Sequence, residues 1–275
     1  MTTPTLHARR PGDTVAPARR LPVPWLAVTA GLAALVLTAS LLGLFAPWPY
    51  ATETADWQLQ AHGQDLGNLL AVGTLLAGAL PAARGSLRGL MVWAGSLLFL
   101  VYAFVIYAMT VHFGPLFPVY VAVLGLSVYG LAFGLRPWDG GVRVAPGPRA
   151  FGSAVIAVIA VLFGLLWLAE IVPALVSGQV PVELTRAGLA ANPVHVLDLA
   201  LVLPGMLVTA RLARRGSGPA QALLGPWLVF AALMAASVTI TLVLGAALAP
   251  AAVVGVITVV SGLAATRVLR ATTLE

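Results

Sequence analysis

The chain has 275 residues, of which 60% are hydrophobic and only 9% charged, with a formal net charge of +6. So few charges exclude a water-soluble globular protein of this length, and the absence of cysteine excludes disulfides, thiolate metal sites, CxxC redox chemistry and covalent haem attachment. The basic balance does not point to nucleic acid, because the arginines are spread over separate loops without an aromatic-interleaved basic patch.

Residues 1–21 are polar, with three prolines and Arg9, Arg10, Arg19 and Arg20, a composition that predicts a disordered cytoplasmic tail. A twin-arginine or cleaved signal is the competing reading, but the apolar run that follows is long enough to span and seven more come after it. The eight runs cover about 25–46, 65–82, 89–110, 115–135, 151–174, 194–210, 221–243 and 248–268. The expected fold class is therefore an all-α integral membrane protein of eight transmembrane helices. It divides into a first four-helix half (22–135), a cytoplasmic linker (136–150) and a second four-helix half (151–275).

All fifteen basic residues are arginines, and fourteen of them fall in alternate gaps. They are the four in the tail, Arg84 and Arg88, then Arg136, Arg143 and Arg149, then Arg211, Arg214 and Arg215, and finally Arg267 and Arg270. The intervening gaps hold only Arg186. The positive-inside rule then puts both termini in the cytoplasm of a bacterial plasma membrane, with Trp48, Tyr50 and Trp57 as an outer interfacial belt and Trp25 and Trp138 as an inner one. The segments 47–64 and 175–193 lie outside, as interfacial loops or as lids.

A tetrad occurs twice on the arginine-poor side: His62-Gly-Gln-Asp65-Leu66 and His195-Val-Leu-Asp198-Leu199. Each opens a span that reads as short and ends near an Arg-Gly-Ser turn, at 84–86 and at 215–217, with Trp93 and Trp227 early in the next helix. We read this as a four-plus-four duplication whose halves are parallel repeats. His and Asp three residues apart project from one helix face. Asn192-Pro193 reads as N-cap and first helical residue of the sixth span, which leaves Asp198 inside it. Thr54 or Asp56 would cap an earlier start of the second span and leave Asp65 inside as well.

An ionisable residue within a span costs roughly 2.5–3.5 kcal/mol on insertion scales and so faces the bundle interior with a partner. Asp198, His195, Asp65 and His62 are the leading site candidates. Glu170 lies near the outer end of the fifth span beside Pro173, where it would either join them or bridge to Arg186. Gln64 and Asn68 extend the polar face of the second span, and Tyr107, His112 and Tyr120 approach the same side. If the halves converge, His62, Asp65, His195 and Asp198 would supply four ligands for Zn, Fe or Mn. Otherwise no cofactor is expected. No Walker A, GxSxG, HExxH or GxGxxG motif stands in a usable context.

The stretches from Tyr107 through Tyr129 and from Asn192 through Pro204 resemble patterns in multi-pass bacterial inner-membrane proteins that have no assigned function. The resemblance covers spans two to four and six, and it implies a membrane location without implying an activity. Three functions stay open. The chain reads as a small transporter or permease with an extracytoplasmic His/Asp/Glu site for a proton, a cation or a small polar solute. It also reads as a non-catalytic membrane partner subunit or assembly factor, and as a membrane enzyme using a His/Asp or metal site at the outer leaflet. The expected partners are the lipid bilayer and a second copy or membrane subunit, and no nucleic acid.

Overall fold

A computed structural model describes residues 21–134 and 141–274. The expected tail (Leu21 apart), Arg136 and Trp138 lie outside the described residues. Among those described, eight helical segments are long and apolar enough to cross a membrane, as the hydropathy pattern predicts, and the chain is a multi-pass membrane protein.

The first four spans are α1 (Val23–Phe45), α2 (Ala55–Ala83), α3 (Leu87–Thr110) and α4 (Phe117–Gly134). Strand β1 (Val142–Val144) precedes α5 (Pro146–Ser177), and a short helix α6 (Val182–Ala187) follows it. The sixth span has three parts: α7 (Pro193–Leu197), a π turn (Asp198–Val202) and α8 (Leu203–Arg214). The last two spans are α9 (Gly218–Leu244) and α10 (Leu248–Arg270), and strand β2 (Thr272–Leu274) closes the chain.

Three spans are markedly longer than expected, the second, the fifth and the sixth, the last being 22 residues (Pro193–Arg214) and not short, and capping sets their ends. The second span begins at residue 55 rather than near 65, because the Thr54 side chain accepts from the Trp57 N–H and Asp56 sits in the first turn, where the helix dipole favours an acid. It is thus 29 residues long and not short. The fifth runs for 32 residues through Pro173 and stops at Gly178, whose φ of 66° is the left-handed value that closes a helix. In the sixth span, Asn192 caps by accepting from the N–H groups of Val194 and His195, with Pro193 as the first helical residue.

Both Arg-Gly-Ser turns take one shape. Gly85 and Gly216 have φ of 89° and 90°. The Gly85 N–H donates to Ala82 O and Ser86 N–H to Pro81 O, while Gly216 N–H donates to Ala213 O and Ser217 N–H to Leu212 O. This paired pattern is a Schellman close, and its left-handed residue is why glycine stands there in both. The tryptophans that follow diverge: Trp93 Nε1 donates to Thr29 of α1, and Trp227 Nε1 to Thr209 of α8.

In the first half α1, α2, α3 and α4 pack in sequence and α4 returns to α1; in the second, α5, α8, α9 and α10 pack around and α10 returns to α5. The two rings meet where α9 lies against α2 and α3. Helix α3 is the most enclosed, with 72% of its most apolar stretch buried, whereas α5 and α10 have 17% and 22% buried and so present their surfaces to lipid. Glycines allow the close crossings: a Cβ on Gly78 would stand 2.5 Å from Trp93 N and 2.9 Å from Gly89 O, and a Cβ on Gly63 or Gly67 would run into Thr241 or Ser237 of α9.

At the arginine-rich end a feature appears that apolar periodicity did not indicate. β1 pairs antiparallel with β2, so the segment after the fourth span is joined to the C-terminus. Gln221 holds this ribbon by accepting from Val144 N–H and donating to Gly216 O, and Arg88 donates to the Arg270 carbonyl.

Candidate functional site

The two tetrads sit in different surroundings. Asp65 lies about three turns inside α2 and is 1% exposed. The Tyr50 hydroxyl donates to its Oδ2 at 2.8 Å and the Tyr107 hydroxyl to its Oδ1 at 2.9 Å. Burial first, and then the neighbouring Asp65 carboxylate, push the Tyr50 phenol far above its ordinary value, so Tyr50 remains a donor. Gly43 of α1 makes room for this group, since any Cβ there would overlap the Asp65 carboxylate. Tyr50 is itself 4% exposed and Trp57 7%, so neither is a lipid-facing belt residue; Trp48, at 42%, is exposed.

A line of neutral polar groups leads away from Asp65 across three helices. Ser237 of α9 donates to Gln64 Oε1, Gln64 Nε2 donates to Asn68 Oδ1, and Asn68 Nδ2 donates to Ser40 Oγ of α1. Ser40 and Asn68 are fully enclosed. Each group satisfies the next, which is what buried polar side chains in a bilayer-spanning bundle require.

Asp198 opens the π turn, whose last bond runs from the N–H of Leu203 to the Asp198 carbonyl, five residues back. Pro204 supplies the cause, because it has no N–H and its ring crowds the carbonyl four residues earlier; the wider turn relieves both. Trp167 Nε1 of α5 donates to Asp198 Oδ2 at 2.8 Å, and the Tyr102 hydroxyl of α3 faces the same carboxyl. His195 is 8% exposed, with its ring 4.7 Å from that of Trp167 and its Nε2 3.5 Å from Glu170 Oε2.

A cavity of about 590 Å³ runs between α2, α3, α5, α9, α10 and the sixth span, with α6 at its mouth. Asp198, Trp167, Tyr102, Tyr107 and Gln64 line it, and Phe230 and Met206 lie deeper. Asp65 does not line it; Ala61, Gln64 and Tyr107 stand between. Phe230 is near the middle of the 27-residue α9, so the cavity reaches from the tetrad end to about half the depth of the bundle, roughly 20 Å at 1.5 Å per residue.

The remaining candidates are placed as follows. His62 is half-buried and meets the edge of the Tyr50 ring, with centroids 5.7 Å apart. His112 lies on Glu53, which accepts from its backbone N–H at 2.8 Å and sits 2.9 Å from its Nδ1. Tyr120 packs on the Tyr107 ring at 5.1 Å. Arg186 does not reach Glu170: it pairs with Glu183 one turn away on α6 at 3.6 Å, because both are carried by the same short exposed helix, while Glu170 faces His195. Nor do His62, Asp65, His195 and Asp198 form one ligand set. Among the described residues no three His, Asp or Glu side chains converge on a metal-sized point, since each acid is already held by aromatic donors of its own half or its neighbour.

Glu53, Tyr50, Tyr102 and Trp167 were not legible as site residues. Glu53 is 7% exposed in a loop that looks solvent-facing, and only the spacing of Trp167 and Glu170, three apart on one helix face, gave a usable signal. No protein-family model matches the chain, and comparison with curated proteins and with solved structures gives no match.

Proposed function

We propose that this is a small transporter or permease of the bacterial plasma membrane, with both termini cytoplasmic and its binding site reached from the extracytoplasmic side. The observation that carries the reading is the cavity: about 590 Å³, bounded by six spans, with Asp198 on its wall and an approach to mid-bundle depth. Transporter sites lie near the bilayer midplane at the junction of repeats. The charged groups here are close to one end, and the cavity links that end with the middle. A second feature supports a duplicated architecture: the alike Arg-Gly-Ser closes and the same cyclic order of packing in each set of four spans. The solute is a proton, a cation or a small polar molecule, with Asp198 on its route, the His195–Glu170 pair beside the cavity wall and Asp65 behind Tyr107.

Uptake, export and resistance assays on Asp198→Asn and on the Asp65→Asn/Asp198→Asn double variant test this. A loss of at least about tenfold in solute movement is expected from Asp198→Asn at normal protein level. Unchanged movement in the double variant would sink the transport reading and leave the partner-subunit reading in its place.

Topology has an independent check, because the chain has no native thiol. Single cysteines at 62, 65, 112, 170, 195 and 198 are treated in intact cells with a membrane-impermeant thiol reagent. The His112 side chain is 61% exposed and Asp65 1%, so position 112 is expected to label quickly and 65 to be protected. Labelling of 112 only after the cytoplasmic face is opened would reverse the orientation.

A further inference from the structure

We propose that the cavity binds a lipophilic organic cation that carries a hydrogen-bond acceptor. The inference deepens the transport reading and rests on it. Its volume of about 590 Å³ falls in the ~300–1,000 Å³ range of sites for drug-sized molecules. The wall is mainly aliphatic, and it also carries the rings of Tyr102, Phe163, Trp167 and Phe230 and the thioethers of Met206 and Met234. Such a lining prefers a large apolar body, and its ring faces attract positive charge.

The charge on that wall has one sign. Asp198 is inside, Asp56 and Glu183 are at the mouth, and no Arg or His is among the described lining residues. Glu183 shares its charge with Arg186, which leaves Asp56 and Asp198 to set the field. A small inorganic cation is poorly served here, because it needs six or more oxygens to replace its water and the interior presents one carboxylate. A cation whose charge is spread over an apolar body gives up little hydration on entering. A neutral acyl chain would set hydrocarbon against Asp198 and gain nothing from it.

The acceptor requirement comes from Trp57. It lines the cavity and is 7% exposed, yet its Nε1 is buried with no hydrogen-bond partner among the described residues. A buried donor without an acceptor is costly, and an ether or carbonyl oxygen on the solute would satisfy it.

Two ions of one shape and opposite charge, tetraphenylphosphonium and tetraphenylborate, provide the test. Binding to the purified full chain in lipid nanodiscs is followed by tryptophan fluorescence, corrected with protein-free discs. Phosphonium is expected to saturate, and to bind roughly tenfold or more tightly than borate. Asp198→Asn is expected to reduce that preference about tenfold while Asp198→Glu retains it. Berberine, a quaternary cation with ether oxygens, is expected to bind about threefold to tenfold more weakly to Trp57→Phe, with phosphonium unaffected. Equal binding of the two tetraphenyl ions by the unaltered chain, or binding of neither, would overturn the inference. If neither binds while Asp198→Asn still stops solute movement, the cation inference fails and transport stands. Selective phosphonium binding without any Asp198-dependent movement would remove transport and keep the cation site.

Discussion

Gly78→Leu is expected to eliminate most of the folded protein. A side chain at this position would meet not a flexible neighbour but backbone: Trp93 N at 2.5 Å and Gly89 O at 2.9 Å from its first carbon. Overfilling a packed interior typically costs 1–3 kcal/mol when side chains can shift. Here α2 and α3 must separate, so a loss of about 3 kcal/mol or more is expected. The α2–α3 contact is among the most extensive in the bundle and α3 is its most enclosed helix, so the loss is not local. Recovery of monodisperse protein in detergent and its thermal midpoint measure the effect. Gly73→Ala is the control, since a Cβ there meets nothing within 4 Å and replacing a mid-helix glycine is worth up to about 1 kcal/mol in the stabilising direction. Equal recovery of Gly78→Leu and the unaltered protein would show that the crossing is looser than described.

Asp65→Ala is the second large change, and its effect is expected on stability rather than on the cavity. Removing the carboxylate leaves the Tyr50 hydroxyl, 2.8 Å from it, without its acceptor, and leaves the Tyr107 hydroxyl, at 2.9 Å, only its longer bond to the Ala61 carbonyl at 3.2 Å. Full desolvation of an orphaned donor costs about 1–3 kcal/mol. Interhelical hydrogen bonds inside membranes average nearer 0.6 and reach about 1.7 kcal/mol. Since Asp65 is only 1% exposed, water cannot readily replace it, and a loss of about 2–3 kcal/mol is the expected result in detergent or denaturant titration. Asp198→Ala takes an acceptor from Trp167 Nε1 and from the Tyr102 hydroxyl, but Asp198 lines the cavity, where solvent has room to replace it, so a smaller loss is expected. If the two variants melted together, the distinction between a structural and a cavity carboxylate would be wrong.

That distinction was only half visible in the sequence. Eight spans, the cap at Asn192, the earlier start at Thr54 and the inward placement of both acids follow from apolar run lengths and capping rules, which are local. Of the two readings of Glu170, the bridge to Arg186 failed because it depended on how a short helix between two spans turns, and Glu170 faces His195. Charge counting cannot supply that turn, and α6 instead keeps Arg186 on Glu183. The four-ligand metal set required the halves to bring their tetrads together, whereas α3 meets the two carboxylates with different tyrosines, Tyr107 on Asp65 and Tyr102 on Asp198. The ribbon of β1 and β2 is three residues a side, below what alternation can reveal. Tyr50 was indistinguishable from an interfacial aromatic until its distance from Asp65 was known, because a tyrosine at a span end suits either role.

The wide turn at 198–202 has a genetic consequence. It holds one residue more than an α-helical register can, so the sixth span has a codon to spare. Losing one there would leave α7 and α8 in phase, with only the crowding of Pro204 to absorb. The same loss in the middle of α3 would swing every later side chain by about 100°, taking Tyr102 and Tyr107 off the two carboxylates they now face. Among the described spans, the sixth is thus where chain length can drift while the wall of the cavity keeps its shape.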